Sequence, residues 1–187
     1  MLTVSIKAIT AASFALAYQI TNTDQADIYV ADLVYRPAAD GNLTVDPKTA
    51  YVIPTEDGTL YVGKLLLKVP EGMKVESTEK PYYKRLAPGE SLAGEIVFPN
   101  PAVAFHPYNN YELGENPFAA RRIVVQIGVI RAQDLKPDEA TLTPAPDFGP
   151  AYFKADYGYG LQYQAVLQAE IDVTNSGAAF LPITAVD

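Results

Sequence analysis

The sequence predicts an all-β protein: an antiparallel two-sheet sandwich with long loops rich in proline and tyrosine. Three observations carry that expectation. Apolar residues recur at every second position in several long runs, the period at which side chains return to one face of a strand. No run of about ten or more residues spaces its apolar side chains three and four apart, as an amphipathic helix requires. The 187 residues also include 13 Tyr and 15 Pro; tyrosine suits strands, and proline suits strand edges and loops.

Taken in order, Leu2, Val4 and Ile6 alternate with Thr3, Ser5 and Lys7 in a first strand. Phe14, Leu16, Tyr18 and Ile20 form one face of a second, closed by the polar cluster Asn22-Thr23-Asp24. A third strand covers residues 27–35, and Asp40-Gly41-Asn42 is a turn that suggests a hairpin to residues 43–45. Residues 51–53 are short and extended. Residues 59–69 are apolar on both sides and read as a central strand, stopped by Pro70-Glu71-Gly72. Residues 82–86 and 92–98 flank Pro88-Gly89, residues 122–132 alternate again, and residues 161–173 give the cleanest period of two in the chain. Turn signals and long loops between these strands fit two packed sheets better than a barrel, although periodicity alone does not separate the two. No linker divides the chain, so residues 1–187 read as a single domain.

Residues 84–98 look like the organising block. Pro88 presets φ for the first central position of a type II turn and Gly89 accepts the positive φ of the second. Beyond the turn, Leu92, Gly94, Ile96 and Phe98 face one way and Ala93, Glu95 and Val97 the other. The block reads as self-contained: strand, tight turn, strand.

Tyr18-Gln19-Ile20-Thr21-Asn22-Thr23-Asp24 together with Leu86-Ala87-Pro88-Gly89-Glu90-Ser91 resembles small bacterial immunoglobulin-like sandwiches. The resemblance covers roughly residues 13 to 98 and implies an immunoglobulin-like fold without implying an activity. Members include some protease inhibitors and many accessory modules of exported proteins. The Cys pair and buried Trp of true immunoglobulin domains are missing, since the chain has no Cys and no Trp.

A formal net charge of −8 argues against nucleic-acid binding, which depends on Lys and Arg neutralising phosphates. The same charge opposes an anionic membrane surface. Without Cys there is no disulfide, no thiolate nucleophile and no sulfur-built metal site. No run reaches the ~20 apolar residues of a transmembrane helix. Residues 1–21 read as strands rather than as a secretory leader, which favours a cytoplasmic location over export.

Function is expected from binding rather than catalysis, with no cofactor. The single His106 sits in Phe105-His106-Pro107-Tyr108, and no nucleophile elbow accompanies it. Asp24 with Asp27, or Asp134, Asp138 and Glu139, lack the spacing of a calcium loop and read as solvated turns. Asn42-Leu43-Thr44 is a glycosylation sequon. Two aromatic loops stand out. Phe105, His106, Tyr108 and Tyr111 lie in residues 99–121, which hold Pro99, Pro101, Pro107 and Pro117. Tyr152, Tyr157 and Tyr159 lie in residues 134–160, where Asp138-Glu139-Ala140 fits one helical turn. Tyrosine offers a rigid apolar body with a polar tip, which suits contact with another protein, stacking on sugar, or self-association. The competing reading is that compact loops pack on their own aromatic side chains. A protein partner or a second copy is expected ahead of a glycan, with no nucleic acid.

Overall fold

The computed structural model describes every residue except 38–42, 109–110, 137–138, 140 and 186–187. Among the described residues the strands are β1 (Leu2–Ile9), β2 (Ser13–Thr21), β3 (Ile28–Pro37), β4 (Leu43–Asp46), β5 (Tyr51–Pro54), β6 (Thr59–Lys64), β7 (Tyr82–Leu86), β8 (Ser91–Pro99), β9 (Tyr111–Leu113), β10 (Phe118–Ala119), β11 (Arg122–Arg131), β12 (Leu142–Pro144), β13 (Tyr152–Ala155), β14 (Gln164–Asp172), β15 (Ala179–Phe180) and β16 (Ile183–Ala185). One short helix, α1 (Tyr157–Tyr163), accompanies them. The protein is mostly β, as the periodicity predicts. The Asp40-Gly41-Asn42 turn, Asn42 of the sequon, and Asp138 and Ala140 of the helical turn lie outside the described residues.

A three-stranded antiparallel sheet has the order β1-β2-β8. A larger sheet runs β12-β13-β7-β3-β11-β6-β5, with β14 on the other edge of β11 and β4 on β3. One face of each sheet contributes to a single apolar cluster. Phe14, Leu16, Tyr18, Ile20, Leu92, Ile96 and Phe98 enter it from the small sheet. Ile28, Val30, Leu60, Val62, Ile123, Val125, Ile127 and Val129 enter from the large one. Burying a side chain of this kind stabilises by roughly 1.5–3 kcal/mol, so the alternate positions of these strands hold the two sheets together. A smaller cluster of Ala31, Tyr83, Ile130 and Ala155, with Tyr163 against it, occupies the opposite face of the large sheet.

Four readings change. Not every pairing is antiparallel: β6 and β11 run parallel from Arg122↔Thr59 to Ile127↔Lys64. A parallel pair needs a long connection, which residues 65–121 provide. The Pro88-Gly89 turn has the expected bond from the Glu90 amide to the Ala87 carbonyl (3.0 Å) and a Gly89 φ of 80°. Yet β7 and β8 belong to different sheets, so the turn is a crossing between layers. Asn22, 1% exposed, fixes it by donating to the Leu86 carbonyl (3.0 Å) while its own carbonyl accepts from Gly89 (2.9 Å). The strand expected over residues 161–173 starts at Gln164, because Asp156 caps α1 through the amides of Gly158 and Tyr159. The alternation of Leu161 and Tyr163 ahead of it is therefore helical. Finally, β6 ends at Lys64, and residues 65–69 turn away to be held by Gln164, which accepts from the Leu66 amide (2.8 Å) and donates to its carbonyl (3.0 Å).

The two sheets differ in width. No residue of β12 or β13 enters the main core, and β7 contributes only Leu86. The β7–β13 end of the large sheet therefore overhangs the small one.

Candidate functional site

The overhang carries a repeated tripeptide, Tyr82-Tyr83-Lys84 on β7 and Tyr152-Phe153-Lys154 on β13. Antiparallel pairing sets Tyr152 opposite Lys84 and Lys154 opposite Tyr82. Directly opposed residues share a face. The result is a checkerboard of two phenols and two ammonium groups. Lys84 Nζ lies 5.9 Å from the Tyr152 ring centroid and Lys154 Nζ 5.4 Å from that of Tyr82, both within cation–π range.

Two loops wall the Tyr82 and Lys154 part of this floor and leave two open clefts. One, of about 630 Å³, is lined by Tyr35, residues 75–80 and Lys154. The other, of about 450 Å³, lies between Lys80, Tyr82, residues 143–148 and residues 154–156. Lys80 and Lys154 line both, so the clefts meet there. Phe148, 36% exposed, stands on Tyr82 with ring centroids 4.2 Å apart. The Tyr35 and Tyr82 hydroxyls are bonded at 2.9 Å. Burial raises the pKa of the Glu79 carboxyl, against the opposing field of Lys154.

Beside the floor, where it meets the main core, lies a buried polar chain. Lys64 is fully buried and donates to the Tyr18 hydroxyl (3.1 Å), the Asp32 carbonyl (2.8 Å) and the Pro47 carbonyl. Tyr18 donates in turn to the Asp32 carboxylate (3.3 Å), whose other oxygen accepts from Tyr152 (2.6 Å). Burial pushes the Lys64 ammonium down to about 8, with Asp32 and Asp46 pulling it back up. The Tyr18 and Tyr152 phenols are pushed well above their ordinary value by burial and by Asp32. Every donor of Lys64 is satisfied, so this chain fastens Tyr152, and with it the floor, to both sheets.

The expected aromatic residues are mostly fasteners of the same kind. Tyr108 is 5% exposed, and its hydroxyl accepts the Glu79 amide (2.8 Å) at the wall of the larger cleft. Tyr157 accepts the Val69 amide (2.7 Å). Phe105 exchanges backbone bonds with Val52 and lies beside Tyr51 (5.9 Å). His106 is half-buried, and its Nδ1 accepts the Tyr108 amide (3.0 Å). Burial lowers its pKa, so the neutral ring is favoured. Tyr111 opens β9 and shares a shallow cleft with His106 and Tyr108. Tyr159 is exposed at 37%. The structure thus gathers His106, Tyr108 and Tyr111 in one place and Tyr152 in another.

The chain matches no protein-family model, no curated protein and no solved structure. The site therefore rests on its own geometry. Among the described residues no group of three or more His, Cys, Asp or Glu is placed to hold a metal ion. Asp24 and Asp27 are paired with Arg131 and Arg85, and Glu139 with Lys136. No helix is long and apolar enough to cross a membrane among the described residues. Sequence reading passed over Lys80, Lys84, Lys154, Tyr82 and Phe148. The repeated Tyr-aromatic-Lys tripeptide was the available signal, but its pairing is set by topology.

Proposed function

We propose that this chain is a non-enzymatic binding module built on an immunoglobulin-like β-sandwich, with the groove over β7 and β13 as its contact surface. The observation that carries this reading is the checkerboard of Tyr82, Lys84, Tyr152 and Lys154 on the overhanging face, walled by loops that internal hydrogen bonds hold in place. A preorganised surface binds without the cost of ordering its own loops. The sandwich is supported by the single core between two sheets and by the turns at Asn22 and Pro88, which carry the chain from one sheet to the other. Against catalysis, no histidine lines the groove among the described residues, and Asp156 is spent on the cap of α1.

The test is ligand capture by immobilised protein, repeated with Phe148→Ala and Lys154→Gln. Retention should fall at least tenfold with the melting temperature within about 4 °C of the parent. Capture that survives both substitutions would remove the groove from consideration. Self-association is the second reading, favoured by Leu113 and Phe118, 44% and 43% exposed. Phe118 also lines a cleft of about 700 Å³ together with Phe180, Pro182 and Ile183, with Glu56 and Asp57 among its other residues. Sedimentation across concentration, with Phe118→Ala as the variant, decides it.

A further inference from the structure

We infer that the ligand of the groove is an uncharged, polyhydroxylated chain, a neutral oligosaccharide. The inference rests on the groove being the contact surface and concerns what that surface selects. Its walls carry both signs of charge, two lysines and four carboxylates across the joined clefts. The larger cleft sets Lys80 and Lys154 beside Glu76 and Glu79, and the smaller sets the same lysines beside Asp147 and Asp156. Among the described residues none of these groups forms an ion pair with another, so the charges do not cancel by contact. A polyanion entering the groove meets carboxylates in both clefts, and a polycation meets Lys80 and Lys154 where the clefts join. A neutral ligand meets neither penalty.

Hydroxyl chemistry fits such a wall. Each hydroxyl donates one hydrogen bond and accepts others, so one sugar ring can answer an ammonium and a carboxylate together. Hydrogen bonds to ionised groups are also the stronger kind. The apolar side of a sugar ring needs a flat aromatic partner, and Phe148 supplies one. The Tyr82 ring has Lys154 over it at 5.4 Å, whereas Phe148 keeps 36% of its surface in solvent beside Pro144 and Pro146. Tyr35 is the aromatic residue of the larger cleft.

Length enters as well. Volumes of about 630 and 450 Å³ each fall in the range, roughly 300–1,000 Å³, of ligand-sized pockets. Because the clefts join at Lys80 and Lys154, a chain that fills both gains over one that fills either. Affinity should therefore rise with oligosaccharide length and then level off.

The experiment is calorimetric titration with neutral gluco-, manno- and xylo-oligosaccharides from disaccharide to octasaccharide, alongside oligogalacturonate, chitosan oligomers and a neutral peptide. At least one neutral series is expected to bind, with affinity increasing along the series. Phe148→Ala and Lys154→Met should each weaken it at least tenfold, and Val166→Ala, on β14 outside the groove, should leave it unchanged. A blank neutral panel, binding indifferent to both groove substitutions, or tighter binding of either charged polymer overturns the inference. If the neutral panel is blank but capture of a protein or peptide still depends on Phe148 and Lys154, the sugar assignment fails and the binding module stands. If no ligand of any class responds to those two substitutions, both fall.

Discussion

The two ends of one sheet face carry opposite chemistry. Where the small sheet covers the large one, β3 and β7 present Ile28, Val30 and Leu86, at 5%, 0% and 3% exposure. Beyond the cover, the same face of β7 and its neighbour β13 presents Tyr82, Lys84, Tyr152 and Lys154, all partly exposed. The strands run on across the boundary, with one register shift in the β3–β7 pairing between Ala31 and Leu33, while the facing layer stops. Side-chain chemistry has followed coverage. The seam is marked by the chain from Lys64 through Tyr18 and Asp32 to Tyr152, which draws on β6, β2, β3 and β13. A surface that must hold its shape and stay wet is thus anchored directly to the core.

The strongest way to break the comparison is at that seam. Asp32→Ala removes the carboxylate that serves both Tyr18 and Tyr152 and leaves the Lys64 ammonium buried without its nearest counter-charge. Removing one partner from a buried charged network typically costs about 3–5 kcal/mol. We expect a loss of that size in urea unfolding at pH 7. Lys64→Met in the same background should restore part of it, because an apolar side chain of similar length needs no counter-charge. If the two substitutions destabilise additively, the network is not a unit.

Next in size is a pair that sets one end against the other. Leu16, 0% exposed, faces the covered end, and Leu16→Ala should cost about 2–5 kcal/mol through lost burial and the cavity it leaves. Phe148, 36% exposed on the overhang, should cost about 1 kcal/mol or less as Phe148→Ala, since much of its ring stays in water in the folded state. Equal losses in denaturant midpoint would mean that the overhang is ordinary core.

How far this division was legible follows from what each signal reports. The alternation of Phe14, Leu16, Tyr18 and Ile20 named a strand and its buried face, and all four residues are at most 3% exposed. Pro88 and Gly89 named a turn type, and the φ of Gly89 agrees. Neither signal says which sheet a strand joins, because strand period is blind to partner; hence the crossing at Pro88 and the parallel β6–β11 pair escaped notice. The same limit hid the groove. Tyr82-Tyr83-Lys84 and Tyr152-Phe153-Lys154 lie far apart in the chain and gain meaning only when paired. Tyr108 and Tyr157 drew attention by residue type, yet type does not report whether a hydroxyl reaches solvent or the amides of Glu79 and Val69.

A pH titration of stability sharpens the seam more gently. Lys64 has a folded pKa of about 8, below its ordinary 10.5. The unfolded chain therefore keeps this proton where the folded protein has lost it, so stability rises as pH passes from about 8 toward 10. The phenols of Tyr18, Tyr51 and Tyr83 are shifted the other way, upward by burial. They stay protonated in the folded protein while those of the unfolded chain ionise, so stability falls above about pH 10. A net gain of about 1 kcal/mol between pH 7 and 9 is expected, read as a rise of roughly 2–4 °C in Tm for a chain of this length. Lys64→Met should flatten the rise and spare the alkaline fall.

The smallest effect is the most telling for function. Lys84 and Lys154 are partly exposed and lie over the rings of Tyr152 and Tyr82 at 5.9 and 5.4 Å. Cation–π pairs in water contribute about 0.5–1 kcal/mol. Replacing either lysine also removes a positive charge from a protein whose formal net charge is already −8. Lys84→Gln removes the charge and shortens the stem by two methylenes, leaving an amide that can still reach the ring, so its cost in chemical unfolding should be about 0.5–1 kcal/mol, and Lys154→Gln should behave alike. Neither residue has an ion-pair partner among the described residues, so no carboxylate is stranded by the change. A loss of about 2 kcal/mol or more would mean that these lysines are structural, held for the fold as Lys64 is. A loss of about 1 kcal/mol or less would mean that the fold does not depend on their charge, as the proposed groove requires.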